Sequence, residues 1–104
     1  AAAAATILGA NKEQFMHALA TAGSFASGLQ QAFRSQAMTK PLHGGHAADA
    51  GCWAAMAAMK GLTGALDMIE GEVGFGNAMS VNPDWSKATK GLGSDYHIIQ
   101  MTFK

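Results

Sequence analysis

The chain is poor in charge, aromatic rings, proline and cysteine. Only 13% of its 104 residues are charged, against about 25% in an ordinary soluble domain. Seven basic residues balance seven acidic ones, so the formal net charge is zero. Binding a phosphate backbone calls for a basic surplus, and so does binding an anionic membrane surface, so neither partner is expected. The one cysteine, Cys52, leaves no internal disulfide framework and no multi-cysteine zinc site. A reducing compartment is the default for such a chain: the cytoplasm, or the mitochondrial matrix in a eukaryote. No run reaches the roughly 20 apolar residues of a membrane span. No basic segment precedes the opening alanines, which argues against a signal peptide. Disorder does not fit a chain that is 49% hydrophobic.

What is present is small. Twenty-two alanines and 13 glycines make up about a third of the chain, and there are 8 aromatic residues. The length suits one domain, which would bury roughly two-thirds of its chain surface. Side chains this small return little hydrophobic gain at each buried position. The chain also opens without a methionine, inside what reads as a helix, and the expectation is a segment of a larger protein.

The periodicity predicts a mainly α chain. Ala1–Leu8 reads as the end of an alanine-rich helix stopped by Gly9. Asn11, with Gln14 three residues on, forms a variant capping box for a helix over Lys12–Ala22. Phe15, Leu19 and Ala22 share one face of it, and His17 falls on the polar side. Gly23-Ser24 marks a break, and Phe25, Leu29 and Phe33 at i, i+4, i+8 suggest a second short helix. Pro41 should push Lys40 into an extended conformation, and Gly44-Gly45 frees the backbone before a helix over His46–Lys60. The body of that helix, Ala47–Met59, carries one charge, Asp49. A helix apolar nearly all round belongs in a core, with Cys52 as a small buried hydrophobe and Met56 and Met59 as filler. Beyond it, short helices are expected over Ala65–Glu70 (capped by Thr63), Val73–Met79 and Pro83–Lys90, the last with Asn82 as cap. Tyr96–Phe103 alternates like a strand.

The window richest in chemistry is Thr39-Lys40-Pro41-Leu42-His43-Gly44-Gly45-His46. It places a cation and two imidazoles in a glycine-rich turn at a helix N-terminus, where free N–H groups and the macrodipole favour an anion. Lys40, Gly44 and Gly45 are the candidates for holding a small carboxylate. Lys40 and His43 are the candidates for moving a proton next to it. A solvated loop with a surface lysine accounts for the same residues. Metal binding is a poorer reading. His43, His46, Asp49 and Cys52 recur every three residues, and each step turns about 300° on a helix, so all four cannot converge. Asp67, Glu70 and Glu72 read as a solvated helix end. Gly71–Gly76 follows no strand and lacks the Lys-Ser/Thr of a phosphate loop.

Four blocks in order resemble the MmgE/PrpD family over nearly the whole chain. They are Ala22-Gly23-Ser24-Phe25-Ala26-Ser27-Gly28-Leu29, then Thr39 through Ala48, then Gly61-Leu62-Thr63-Gly64, then Leu66 through Phe75. That family includes 2-methylcitrate dehydratases, cis-aconitate decarboxylases and an iminodisuccinate epimerase. The resemblance implies a large all-α domain paired with a smaller α/β lid in a homodimer, with a site between the two domains that uses no metal or organic cofactor. Residues 1–94 would be part of the all-α domain, and 95–104 a strand at the junction to the lid. Lys40 maps onto an active-site lysine of relatives and His43 onto the same motif. His46 stands where relatives vary, and no role is carried over to it. The family's upstream Asp and His motifs and its lid histidine match nothing in this chain, so the site would be completed by the remainder of the protein. The implied activity is lyase chemistry on a small polycarboxylate, with loss of water from a 2-methylcitrate-like substrate first, and decarboxylation or imino-dicarboxylate epimerisation as alternatives. A non-catalytic helical interaction or dimerisation module, suggested by the low charge of Ala47–Met59, is the alternative of another class.

Overall fold

The computed structural model describes residues 1–102, and the protein is mainly α. Helices α1 (Ala2–Ile7) and α2 (Lys12–Ser24) follow one another through a turn. The predicted capping box is formed: Asn11 Oδ1 accepts from the Gln14 amide at 2.9 Å, and the Gln14 side chain accepts from the Asn11 amide at 3.0 Å. Two donors that the helix start would orphan are thereby satisfied.

The next elements depart from expectation. No helix runs through Phe25–Phe33. The chain turns after Ser24, and only Gln31–Arg34 is helical (α3). Gly28 is the reason, because its φ of +99° breaks any helix through it. Helix α4 spans Lys40–Met59 and so begins six residues before the expected His46. Pro41 sits in its first turn, where a fixed φ suits the helix and a missing N–H is no loss. That preference overrides the restriction proline places on Lys40. Gly44 and Gly45 are therefore inside α4, not in a turn ahead of it.

After α4 the chain is mostly turns. Ala65–Glu70 is not helical; it closes through Met68 N–H to Ala65 C=O at 2.9 Å and Gly71 N–H to Asp67 C=O at 2.7 Å. Helix α5 covers Phe75–Met79, within the expected stretch. The helix expected over Pro83–Lys90 shrinks to a 3-10 turn, Trp85–Lys87. Asn82 is left-handed, with φ +53°, and cannot cap it. Asp84 does so instead, accepting from the Ser86 hydroxyl at 2.6 Å and the Ser86 amide at 3.1 Å. The Ser86 hydroxyl, then Lys87 at 3.4 Å, then the Ser86 amide hold the Asp84 carboxyl below its usual value. Tyr96–Phe103 is not a strand either. His97–Gln100 is a second 3-10 turn, and no strand occurs among the described residues. A strand without a partner leaves its ladder groups unpaired. Phe103, the end of that expected strand, lies outside the described residues.

The core is made of very small residues. Helix α4 packs against α2, and α1 packs on both. Ala5, Ala18, Ala55 and Ala58 meet there, with Phe15 packed against them. Gly51 of α4 is also buried, and a Cβ on it would collide with the Ala1 backbone. Among the described residues no large side chain is fully buried. The contact stripe of α4 is narrow, at residues 51, 54, 55 and 58. Cys52, expected inside, is exposed, as are Trp53 and Met56, while Met59 is half-buried. The accessible surface is 8351 Å², well above the roughly 5,500 Å² of a compact monomer of this mass. The radius of gyration is 15.3 Å, against about 13 Å for a compact chain of this length.

His17 is not solvated as expected. It is half-buried, with Nδ1 3.2 Å from the Gly64 nitrogen and 3.3 Å from the Gly64 oxygen. With its proton on Nε2 the ring accepts from the amide; with its proton on Nδ1 it donates to the carbonyl. Either way it pins the segment after α4 onto α2. Gly64 comes so close that a Cβ there would lie 2.8 Å from both the Thr21 amide nitrogen and Oγ1. The Thr21 hydroxyl is buried and has no hydrogen-bond partner among the described residues. Two stability effects of opposite sign are expected from urea unfolding. Gly64→Ala lowers stability by about 1–3 kcal/mol through overpacking. Thr21→Val raises it by about 1 kcal/mol by removing an unpaired buried hydroxyl. A loss for Thr21→Val would mean that Oγ1 has a partner in solution.

Candidate functional site

The first two turns of α4 carry Lys40, His43 and His46 at intervals of three residues. Segment 25–34 wraps against them. Two contacts fix that wrapping. The Lys40 ammonium lies 4.3 Å from the centroid of the Phe33 ring, a cation–π contact. Gly28 lies under the His43 ring, and a Cβ there would be 3.3 Å from Nδ1 and 3.4 Å from Cγ. Gly28 thus both allows the turn and leaves room for the imidazole.

Three clefts open around this helix end. The largest, about 560 Å³, lies between α3 and the start of α4 and is lined by Gln31, Thr39, His43 and His46 among others. A second, about 350 Å³, lies on the other side of the two imidazoles, towards Phe25 and Phe75. A third, about 330 Å³, lies further along α4 between Phe25, Asp49 and Trp53. Ser27 and His46 line all three, and His43 lines two. Lys40 lines none of them, because its ammonium is held on Phe33 outside the cleft.

The structure therefore groups the expected residues unevenly. His43 faces the clefts. Lys40 is adjacent, between cleft-lining Thr39 and Leu42 in sequence. Gly44 and Gly45 do not form the expected amide cradle. As interior residues of α4 their N–H groups belong to the helix ladder, and what they contribute is bare surface: a Cβ on either meets nothing within 4 Å. His46, to which no role had been carried over, lines more of the open space than any other residue but Ser27. Its signal in the sequence was spacing from His43. Phe33 enters the sequence pattern only through its spacing from Phe25 and Leu29, and Gly28 only within a block of family resemblance, so neither carries such a signal. Asp49 lines the third cleft and Cys52 none. Among the described residues no three His, Cys, Asp or Glu side chains converge. Asp67, Glu70 and Glu72 are exposed and line none of the three clefts. Among the described residues, no helix is long and apolar enough to cross a membrane.

A cation and two imidazoles thus stand at the start of a long helix, the positive end of its dipole, in a mainly α chain. Its sequence places it more closely. Residues 1–88 match the MmgE/PrpD N-terminal domain, and the chain belongs to that family. No curated protein and no solved structure gives a significant match.

Glycine inside an exposed helix is less stable than alanine by about 0.5–1 kcal/mol. Gly44→Ala and Gly45→Ala are therefore each expected to raise the unfolding midpoint, since nothing obstructs the new methyl. If the bare strip receives a ligand, the same variants weaken that ligand's binding. Stabilisation with unchanged ligand affinity, measured by calorimetry, would remove both glycines from the site.

Proposed function

We propose that this chain contributes part of the active site of a lyase acting on a small polycarboxylate. The carrying observation is the Lys40–His43–His46 ladder on the first turns of α4, beside a cleft of about 560 Å³, in a chain of the MmgE/PrpD family. Lys40 binds a substrate carboxylate or assists proton transfer. As a cation it stabilises the negative charge that grows on the carboxylate as the neighbouring carbon loses its proton. His43 supports it by accepting that proton or by protonating the departing hydroxyl. Gly44 and Gly45 let the substrate approach the helix closely. Loss of water from a 2-methylcitrate-like substrate is the first choice. Decarboxylation of a cis-aconitate-like acid and epimerisation of an imino-dicarboxylate share the same initial charge development.

The site is open, and the surface excess over a compact chain supports completion by the remainder of the protein and assembly as a homodimer. The exposed apolar side chains, among them Leu42, Trp53, Met56 and Val73, also favour a second reading, a non-catalytic helical interaction module. The test is a panel of 2-methylcitrate, citrate, cis-aconitate and an iminodisuccinate offered to the protein that carries this chain. NMR distinguishes an alkene formed by water loss, carbon dioxide release and exchange of the α-proton. Lys40→Ala is expected to lower kcat/KM by at least about a hundredfold. Activity within about threefold of wild type would overturn Lys40's role. Turnover of nothing in the panel by a well-folded dimer would favour the interaction module. Residues 1–104 alone are expected to turn over little, because separated groups lose the advantage of mutual positioning.

A further inference from the structure

We propose that Phe33 is a positioning residue for Lys40, holding its ammonium beside the cleft while leaving that charge free for a substrate carboxylate. The inference rests on the reading of Lys40 as a substrate-contacting group. Lysine's four-carbon stem is flexible, and at the first position of α4 its charge is repelled by the positive end of the helix. Something must therefore hold it. An acidic side chain would do so, but the first turn of α4 has none. The one ion pair among the described residues, Lys87–Asp84, is elsewhere. The partner that Lys40 does have is the face of Phe33, 4.3 Å away at the centroid.

The chemistry of that partner matters. A carboxylate on Lys40 would compete with a substrate carboxylate for the same ammonium. An aromatic face attracts the cation through its quadrupole and leaves the rest of the ammonium able to donate to an anion. The local fold brings the two together. Gln31 and Ala32, next to Phe33, line the same cleft as Thr39 and Leu42, which flank Lys40 and Pro41. The connector between α3 and α4 is short and turned back on itself by the Ala37 N–H to Ala32 C=O bond at 3.1 Å. Phe33 and Lys40 thus sit at the seam where α3 meets α4, at the edge of the cleft.

An aliphatic residue of similar size would fill the place of Phe33 but would lack the quadrupole. Phe33→Leu and Phe33→Tyr therefore separate positioning from packing. In the protein that carries this chain, Phe33→Leu is expected to raise KM for the substrate identified in the panel by about three- to tenfold, with kcat within about twofold. Phe33→Tyr should stay within about twofold of wild type in both. The ring contact has its own signature without substrate: the Lys40 Hε protons resonate upfield of those of the other lysines in wild type and Phe33→Tyr, and return among them in Phe33→Leu. Phe33→Met replaces Phe33→Leu if thermal melting shows that the leucine variant does not fold. A Phe33→Leu variant with wild-type KM while Lys40→Ala is inactive overturns the positioning role and leaves the lyase reading standing. Equal damage from Phe33→Tyr and Phe33→Leu also overturns it. Wild-type turnover by Lys40→Ala overturns the reading of Lys40, and this inference with it.

Discussion

The close approach of α2 and α4 is the constraint on which the rest depends. It is possible because the positions that meet there are nearly devoid of side chain: Ala18 on α2, and Ala55 and Ala58 on α4. A buried methyl contributes only about 0.8 kcal/mol, so this seam gains less from area than from dense contact. The larger apolar side chains are then forced outward, since a seam this narrow has no room for them. Trp53 is 63% exposed and Met56 51%. The exposed apolar surface is thus a geometric consequence of the small core, and it is the surface on which further chain or a further subunit would gain most.

Because α2 and α4 are fixed to one another, the connection between them is fixed too. It leaves the end of α2, turns at Gly28, makes one helical turn as α3, and enters α4 at Lys40. Along that path Gly28 lies under His43 and Phe33 under Lys40. On the far side, the His17–Gly64 contact ties the chain leaving α4 back to α2 across 47 residues of sequence. The site groups sit near the N-terminal end of α4, the buried stripe nearer its C-terminal end. One helix thus joins a packed half to an open half.

What was legible in the sequence follows from how local each determinant is. The Asn11–Gln14 box is complete within four residues, so its residues alone identify it. The small-residue character of α4 was equally plain, and so was the mainly α fold. The start of α4 was not, because two local rules conflict at Pro41: proline restrains the residue before it, yet it is well suited to a first helical turn. The second prevails: Pro41 stands in the first turn of α4. The i, i+4, i+8 series Phe25–Leu29–Phe33 misled because one glycine at φ +99° outweighs three well-spaced apolar residues. His17 and Cys52 were misplaced for a shared reason. Helix periodicity tells which residues share a face, but not which face meets a neighbour whose position is set by residues far along the chain.

The candidate site divides in the same way. Lys40, His43 and His46 could be read from the sequence because one helix carries them. The groups that set their positions, Phe33 and Gly28, come from a turn whose path no local pattern encodes. Their effect is nonetheless chemical. Where a charged side chain is held by an aromatic face instead of an opposite charge, the attraction is weaker, but the charge is not consumed. An imidazole packed against a glycine is located by shape alone and keeps its nitrogens for other partners. A site built by such neighbours would hold its groups without neutralising them.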